Sequence, residues 1–450
     1  MKRGDRIIAE VSLLSAKGDG IADVEGSQVV IPGAVPGDKV EAFVKRKRRG
    51  WAEGRVVRLL ESQLPRTPAS CSHFGTCGGC RWQDIDYESQ LRLKSEMVRN
   101  ALSDVEVGEY REIIGSPEIF YYRNKMEFSF GRGEEDNLHI GLHHLGRYNR
   151  IFDLEACYLQ SEVSNKIVHL VRQYAMDAGL PPYDLKSHEG ILRFLVIREG
   201  KETGELMVNL VVSQFHDTPV PELANRLISA LPDITTFIVT LHTGKAQVAM
   251  GEEQFVFKGT GCITEHCGEL AFDISPQSFF QTNTRQAAVL YRIVSNLAKV
   301  DKTMRVLDLY CGTGGISLHL GTSADSVVGI EQVEESVCDA RHNATKNGLA
   351  NCTFLVGRTE DVLSQLASEG HIFDLVIADP PRAGMHARAI EALVDLRPKV
   401  VLYVSCNPQT LAADAAQLVS RGFNAALVQP LDLFPHTPHC EIVMVLQRQI

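Results

Sequence analysis

The sequence predicts a multidomain α/β protein with a small β-barrel at the N-terminus, a central α+β domain and a C-terminal α/β domain. Short β-type runs between glycine and proline turns fill residues 1–62. Clustered cysteines and mixed helix and strand patterns follow in residues 63–275, and strands alternate regularly with helices in residues 276–450. Such alternation predicts a parallel sheet with ligands at its strand ends. The 450 residues suit about three domains of ~150 residues each.

Composition limits where the protein acts. With 44% hydrophobic and 23% charged residues, the chain can build full cores. No apolar run approaches the ~20 residues that span a bilayer, and the first residues lack the apolar region of a signal peptide. These features predict a cytoplasmic protein without a membrane partner.

The N-terminal segment predicts a barrel that contacts RNA. Strand-like runs such as Ser27–Ile31 and Val40–Val44 alternate with turn signals at Gly18–Gly20. The net charge of −10 argues against general nucleic-acid binding, but screening makes local patches decisive. Lys45–Arg49 is such a patch beside Trp51, a combination suited to RNA backbone contact and base stacking. A solvated hairpin tip explains the charge run alone equally well.

The central domain carries a cysteine cluster. Cys71, Cys77 and Cys80 lie close together, and Gly78 and Gly79 allow a tight turn that brings thiolates to one centre. A fourth ligand is needed. Four thiolates hold either zinc or a 4Fe-4S cluster, so the residues alone leave both open.

Other patterns in the centre predict scaffold. Residues 89–102 and 161–179 have helical periodicity, whereas 191–198 and 205–212 resemble a strand pair joined by a hairpin turn. These patterns indicate an α+β platform and carry no chemistry of their own.

The C-terminal domain predicts a nucleotide-type site. A strand at 305–310 leads into the glycine turn Cys311–Gly315, and Glu331 ends the next strand, where an acidic residue can accept hydrogen bonds from ribose hydroxyls. No Gly-x-Gly-x-x-Gly pattern is present, which disfavours a dinucleotide. Residues 308–314, Asp-Leu-Tyr-Cys-Gly-Thr-Gly, resemble the first motif of class I (Rossmann-like) S-adenosylmethionine-dependent methyltransferases.

Three residues at strand ends predict the chemistry. Asp379 begins the loop Asp-Pro-Pro-Arg-Ala-Gly, Cys406 follows an apolar strand, and Glu441 opens the last strand. A thiolate that adds to carbon 6 of a uracil makes carbon 5 nucleophilic towards a methyl sulfonium, and a base must then remove the carbon 5 proton. Cys406 and Glu441 supply that pair, and Asp379 can orient the pyrimidine. Cytosine-5 RNA methyltransferases normally carry a second cysteine in the Asp-Pro-Pro loop, and none is present here, so uracil is favoured.

Over nearly its whole length the chain resembles the RNA uracil-C5-methyltransferase family, of the TRAM-containing, iron–sulfur type typified by bacterial 23S rRNA (uracil-5-)-methyltransferases. Gly315 is a departure, since some relatives carry asparagine there. The resemblance rests on the TRAM-like start, the cysteines, and the motifs at 122–125, 275–284, 308–314, 379–384, 405–408 and 440–441.

The resemblance implies roles for particular residues. Cys157 becomes the fourth ligand beside Cys71, Cys77 and Cys80, and the metal centre becomes a 4Fe-4S cluster rather than zinc. Cys406 becomes the nucleophile and Glu441 the base. The residues expected to contact S-adenosylmethionine are Gln281, Tyr310, Glu331 and Asp379.

The favoured hypothesis is therefore an enzyme that methylates a uridine of 23S rRNA. The runner-up is a tRNA uracil-5-methyltransferase, since the catalytic set is shared. A third reading is an RNA-binding iron–sulfur protein with an inactive methyltransferase fold. No obligate protein partner is expected, and we expect a monomer with a structural cluster.

Overall fold

The computed structural model describes residues 1–133 and 137–449. The chain divides into two compact units, each made of discontinuous segments. Unit 1 comprises Met1–Ser70, Cys80–Ser116 and Ala378–Ile450, and unit 2 comprises Cys71–Gly79 and Pro117–Ile377.

The N-terminal part of unit 1 is a sheet in the strand order β1-β5-β6-β4-β3-β2. β1 packs against β3 as well as pairing with β5, which closes the sheet. Side chains along β5 alternate between the inside and the outside of the sheet, and Val40, Ala42 and Val44 are the buried ones, as the period-two pattern of a half-buried strand requires. The predicted small barrel is thus present. Its strands are β1 (Arg6–Glu10), β2 (Leu13–Leu14), β3 (Gly20–Val24), β4 (Ser27–Ile31), β5 (Asp38–Arg48) and β6 (Trp51–Ser62).

The rest of unit 1 combines helices with strands in the order β22-β24-β23-β7. β24 runs antiparallel to both β22 and β23, whereas β23 and β7 are parallel. The elements are α1 (Tyr87–Ala101), β7 (Val107–Tyr110), α8 (Ala387–Asp395), β22 (Val400–Ser405), α9 (Pro408–Val419), β23 (Phe423–Leu431) and β24 (Glu441–Arg448).

The expectation of a parallel sheet throughout the C-terminal domain is wrong for these last strands. β23 and β24 are joined directly by residues 432–440, without a helix. A parallel connection needs a crossover of a dozen or more residues, usually through a helix, so the short link enforces an antiparallel pair.

Unit 2 contains the predicted run of parallel strands that begins the C-terminal α/β domain. β18 pairs in parallel with β19, and β19 with β20, in the order β20-β19-β18-β21. The elements are α4 (Thr284–Ala298), β18 (Arg305–Leu309), α5 (Gly315–Gly321), β19 (Ser326–Glu331), α6 (Glu334–Lys346), β20 (Cys352–Val356), α7 (Thr359–Ser368) and β21 (Leu375–Ala378).

A second sheet of unit 2 forms the central platform, in the order β15-β14-β13-β12-β8-β9. β12 and β13 are the predicted antiparallel pair, and α2 matches the predicted helix at 161–179. Two further sheets of this part of unit 2 are the separate strand pairs β10-β11 and β16-β17. The elements are β8 (Lys125–Arg132), β9 (Leu138–Gly141), β10 (His143–His144), β11 (Arg147–Ile151), α2 (Glu162–Asp177), β12 (Leu192–Glu199), β13 (Leu206–Val212), α3 (Val220–Ala230), β14 (Thr236–Leu241), β15 (Glu253–Lys258), β16 (Ile263–Cys267) and β17 (Leu270–Ile274).

Within residues 1–133 and 137–449, no helix combines the length and apolar character needed to cross a membrane.

Candidate active site

The expected nucleophile lies at the tip of a strand. β22 ends at Ser405, Cys406 follows, and α9 begins at Pro408. The Asn407 amide donates to Ser405 Oγ at 3.1 Å, and Asn407 Oδ1 accepts from the Gln409 amide at 3.1 Å. Asn407 thereby caps α9 and satisfies one of the amides that a helix start leaves unpaired. The turn that carries Cys406 is fixed on both sides.

The thiol has acidic and basic neighbours in unit 1. Burial is the main cause that raises the pKa of Cys406, and the carboxyl groups of Glu441 and Asp379 raise it further. The Arg382 guanidinium opposes them through its charge and through a side-chain hydrogen bond to the thiol. Because the thiolate is the nucleophilic form, Arg382 is the neighbour that favours the reactive state.

Glu441 is the first residue of β24, with a side chain only 3% exposed. Burial raises its pKa well above the usual range, Asp379 adds to that rise, and Arg382 lowers the pKa. A carboxylate with a raised pKa is a stronger base when it is ionised, which suits proton abstraction from carbon. Unit 1 thus brings Cys406, Glu441, Asp379 and Arg382 into one electrostatic neighbourhood.

The loop that carries Asp379 and Arg382 is tied to the cysteine turn. The Arg382 carbonyl accepts a hydrogen bond from Asn407 Nδ2 at 2.9 Å. Asp414 Oδ2 accepts from the Met385 amide at 2.7 Å and from the Tyr403 hydroxyl at 2.5 Å. Gly384 has φ 82°, and a Cβ there would lie 2.8 Å from Asp414 Oδ2, so this close approach requires glycine.

Sequence reasoning assigned no role to Arg382. The residue was visible only as part of the Asp-Pro-Pro-Arg motif, and its orientation towards the thiol depends on the tertiary contact between two strand ends. The sequence feature that could have indicated this role of Arg382 is the presence of a cationic residue in the same loop as Asp379.

Two of the residues expected to contact S-adenosylmethionine meet at neighbouring strand ends in unit 2. Tyr310 follows β18 with φ 63°, and Glu331 ends β19. Glu331 Oε2 accepts from the Gly312 amide at 3.2 Å, and Oε1 accepts from the Val333 amide at 2.9 Å. A non-glycine residue in the left-handed region is uncommon, and such backbone strain occurs often at ligand sites.

Gln281 lies in a segment that contacts the same glycine turn. Thr313 Oγ1 donates to the Phe279 carbonyl at 3.2 Å. Asn124 Nδ2 donates to the Gln281 carbonyl at 2.7 Å and to Thr284 Oγ1 at 2.8 Å. The motif at 122–125 supported the family resemblance, but the sequence did not indicate that Asn124 holds this segment. Asp379, the remaining expected contact, lies in unit 1 beside Cys406 and Glu441.

Packing explains the glycine at position 315. A Cβ at Gly315 would lie 2.5 Å from the hydroxyl oxygen of Tyr291 on α4. Tyr291 is 5% exposed and fills the space that a larger residue at 315 would need. An asparagine at position 315 therefore cannot be accommodated beside Tyr291 as it stands.

Asp308 is a buried carboxyl group in the first methyltransferase-type motif. Its side chain is 1% exposed, and Oδ2 accepts from Ser317 Oγ at 2.5 Å. Burial raises the pKa of Asp308 to about 7 and Glu331 adds to the rise, whereas the Ser317 hydrogen bonds lower it. The group is thus poised to change its charge near neutral pH.

The cysteine cluster falls across the unit division. Cys71, Cys77 and Cys157 lie in unit 2, where Cys77 is electrostatically coupled to the other two, and Cys80 lies in unit 1. Burial is the main cause that raises the pKa of Cys77 to about 11. The Gly79 amide donates to Cys77 Sγ at 3.3 Å, a kind of contact that also occurs around iron–sulfur clusters.

The side chains are not assembled as a finished metal site. No group of His, Cys, Asp or Glu side chains within residues 1–133 and 137–449 has the arrangement that would hold a metal ion. The three thiols of unit 2 nevertheless fit a thiolate-bound centre in kind, since they interact with one another electrostatically and backbone amides are directed at the sulfurs of Cys77 and Cys157.

The basic run lies at the end of β5 and in the turn to β6, so most of it belongs to a strand rather than to a loop, and its contact with RNA stays a prediction. Lys45, Arg46, Arg48 and Arg49 are exposed, and Lys47 Nζ donates to Ser27 Oγ at 2.7 Å. The run is open to solvent, where it can meet phosphate groups.

Comparisons with known proteins agree with this arrangement. A family model described as tRNA (Uracil-5-)-methyltransferase matches residues 86–449, and a TRAM domain model matches residues 2–57. An RNA methyltransferase of Chlorobaculum tepidum is 38% identical over 94% of this chain and 92% of its own length. One of Caldanaerobacter subterraneus subsp. tengcongensis is 35% identical over 100% of both chains.

A solved structure covers nearly the whole chain. Pyrococcus abyssi tRNA (uracil-54, C5)-methyltransferase in complex with S-adenosyl-L-homocysteine is 28% identical, with a TM-score of 0.76. The match covers 98% of this chain and 100% of that one.

The fold and the matches define an S-adenosylmethionine-dependent RNA methyltransferase with an N-terminal TRAM domain. More closely, the chain belongs to the RNA (uracil-5-)-methyltransferase family. The expected resemblance is confirmed, and the reading as an RNA-binding protein with an inactive methyltransferase fold loses its support.

The raised pKa of Asp308 predicts a pH-dependent stability. Folded Asp308 keeps a proton up to about pH 7, whereas the ordinary pKa is 3.8, so this carboxyl group loses its stabilising effect as pH rises between these values. Relative to wild type, the unfolding free energy of Asp308→Asn should increase by on the order of 4 kcal/mol when the pH is raised from 4 to 8. Urea unfolding across that range tests this, with exposed Asp325→Asn as the control. A difference that does not change with pH would contradict the raised pKa.

Proposed function

We propose that the protein methylates carbon 5 of a specific uridine in 23S rRNA, with Cys406 as the nucleophile and Glu441 as the proton acceptor. The observation that carries the proposal is the shared neighbourhood of Cys406, Glu441, Asp379 and Arg382. A thiol and a buried carboxyl group are the nucleophile and the base that covalent pyrimidine methylation needs, and the Arg382 cation acts on both.

The steps balance with these residues. The Cys406 thiolate adds to carbon 6 of the uracil, and carbon 5 becomes nucleophilic. Carbon 5 takes the methyl group from the sulfonium substrate as the sulfur–methyl bond breaks and S-adenosylhomocysteine leaves. The Glu441 carboxylate then takes the carbon 5 proton, the carbon 5–carbon 6 double bond re-forms, and the thiolate is expelled.

The remaining site residues fit binding roles. Glu331 is held by two backbone amides, so its carboxylate is oriented to accept hydrogen bonds from ribose hydroxyls. We assign Tyr310 and Gln281 to S-adenosylmethionine because they lie on segments next to the same glycine turn. Asp379, beside Cys406 and Glu441, is assigned to the boundary between methyl donor and pyrimidine. The absence of a cysteine from residues 379–384 favours uracil over cytosine.

A tRNA substrate is the second candidate. It is favoured by the description of the matching family and by the 28% identical tRNA (uracil-54, C5)-methyltransferase of Pyrococcus abyssi. The rRNA assignment rests on the combination of the TRAM domain with the cysteine set. The cytoplasmic location and the monomeric state stay predictions of the sequence.

We also propose a 4Fe-4S cluster held by Cys71, Cys77, Cys80 and Cys157. The proximity of the three thiols in unit 2 supports it, as does the position of Cys80 directly after Gly79. The cysteine loop already contacts the β10 segment, because Cys77 bridges to His144 of β10 and the Gly78 amide donates to the His143 carbonyl at 3.3 Å. A cluster that also binds Cys157 would fix this loop further. Its role is then structural.

Substitution separates the two catalytic roles. Cys406→Ala should abolish methyl transfer, since no covalent adduct can form. Glu441→Gln should still transfer the methyl group and then accumulate a covalent protein–RNA adduct, with turnover reduced by about 10²–10⁴. Denaturing gels and single-turnover methyl transfer measure both, and exposed Cys338→Ala is the control. Persistent turnover of Cys406→Ala would refute the nucleophile, and absence of an adduct with Glu441→Gln would refute the base.

The target RNA is found by mapping 5-methyluridine in cells with and without the gene. Loss of a single modified uridine from 23S rRNA is the expected result. Loss from tRNA with intact rRNA would replace the first candidate by the second.

Metal analysis tests the cluster. Protein purified without oxygen should contain iron and acid-labile sulfide in equal amounts, and Cys157→Ser should lose both. Cys262→Ser, in the same unit and outside the cluster, should keep them. Zinc in place of iron would overturn the iron–sulfur assignment and support the other thiolate-bound metal.

A further inference from the structure

The segment that precedes the proton acceptor, residues 432–440, is here named the base loop. It joins β23 to β24, and the Cα partners at its two ends are Leu431 and Glu441. Glu441 is therefore the first residue after the loop, so the position of its backbone depends on where the loop ends. Except for Phe434 and His439, the loop residues are buried.

Helix α1 holds the first half of the base loop. Lys94 Nζ lies 2.6 Å from Asp432 Oδ1, and both side chains are 0% exposed. The Tyr87 hydroxyl donates to Asp432 Oδ2 at 3.0 Å. Further along, the His436 amide donates to Gln90 Oε1 at 2.8 Å. The loop is thus anchored by both charge and hydrogen bonds.

The second half of the base loop lies against the barrel. Gly18, in the turn between β2 and β3, has φ +72°, and a Cβ there would lie 2.2 Å from Pro438 Cβ. The same Cβ would lie 3.3 Å from Cζ2 of the buried Trp82. No side chain fits between the barrel turn and Pro438, which precedes Glu441 by three residues.

Arg81 links the barrel turn to the base loop a second time. Its side chain forms an ion pair with Asp19 and donates to the Lys17 carbonyl at 2.7 Å. Its backbone amide donates to the His436 carbonyl at 2.8 Å. The turn is itself ordered, because Ser15 Oγ accepts from the Asp19 amide at 3.0 Å. The barrel therefore reaches the loop through a contact and through a hydrogen-bonded bridge.

We propose that the barrel turn Ser15–Asp19 is a positioning element for Glu441, acting through Pro438 and Arg81. The TRAM barrel then contributes to the proton-removal step in addition to binding RNA. Gly18 and Arg81 are positioning residues, since they act on Glu441 through the base loop. The inference rests on the proposed roles of Cys406 and Glu441.

The order of the reaction steps distinguishes this positioning role from a general effect on folding or RNA binding. Thiolate addition and methyl transfer precede proton removal, so a displaced Glu441 leaves the first steps intact and slows the release of the methylated RNA. A shift of about 1 Å in a positioned group can cost roughly 10²-fold in rate. A general loss of folding or of RNA affinity would instead reduce formation of the covalent adduct.

The experiment compares two glycines of the same barrel. Gly18→Ala introduces the clash with Pro438. Gly33→Ala is the matched control, because Gly33 also has a positive φ, of +84°, and no heavy atom lies within 4 Å of the point that its Cβ would occupy. Both variants carry similar backbone strain, so a difference between them reports the contact with the base loop. Single-turnover assays follow methyl transfer, the covalent adduct and product release.

We expect Gly18→Ala to release methylated RNA about tenfold to a hundredfold more slowly than Gly33→Ala and to accumulate the adduct. Affinities for RNA and S-adenosylmethionine should agree within about twofold, as no binding contact is removed. Arg81→Gln, which introduces no clash, should shift the same step in the same direction, and Arg81→Lys should restore much of the rate by keeping the pair with Asp19.

Equal release rates for Gly18→Ala and Gly33→Ala, or an Arg81→Gln variant with wild-type release, would overturn the positioning role. These outcomes differ from failure of the proposed function. If the proposed function fails, wild type forms no 5-methyluridine, or Glu441→Gln yields no adduct, before any barrel variant is compared.

Discussion

The buried ion pair between Lys94 and Asp432 is the interaction on which the position of the segment before Glu441 depends. Two charges removed from water are costly unless their remaining hydrogen-bonding capacity is filled. Here the Tyr87 hydroxyl and the Phe434 amide donate to Asp432, and Lys94 also donates to the Phe434 carbonyl at 3.1 Å. Because loss of one partner leaves a buried charge unpaired at a cost of about 3–5 kcal/mol, α1 and the segment before Glu441 stay together.

The proposed nucleophile and the proposed base have opposite electrostatic requirements. A thiol must ionise to attack, whereas a carboxyl group must bind a proton and release it in each cycle. Glu441 and Asp379 disfavour additional negative charge at Cys406, and Arg382 counters that effect at both Cys406 and Glu441. Since Asn407 holds the backbone of Arg382, the residue after the proposed nucleophile helps to set the electric field at Cys406.

Local patterns predicted much of this molecule. The barrel strands, helices α1 and α2, the β12–β13 pair and the strand-tip position of Cys406 follow from periodicity and from turn residues over a few positions. The antiparallel arrangement of β24 was not foreseen, because strand direction depends on whether a helix intervenes. The sequence did not predict the roles of Arg382 and Asn124 or the contact between Gly18 and Pro438. The reason is related, since each joins segments far apart in the chain. The sequence motifs identified the candidate site residues, whereas the tertiary contacts that orient these residues are visible only in the structure.

The contact between Gly315 and Tyr291 has a consequence for how such a protein can diversify. The tyrosine hydroxyl occupies the volume next to the glycine turn, so the two positions share one small space. A bulkier residue at 315 requires the Tyr291 side chain to move or to be replaced by a smaller one, whereas a smaller residue at 291 leaves a cavity until 315 enlarges. Substitutions at the two positions are therefore expected to be energetically coupled, because a change at either one alone leaves a clash or a cavity.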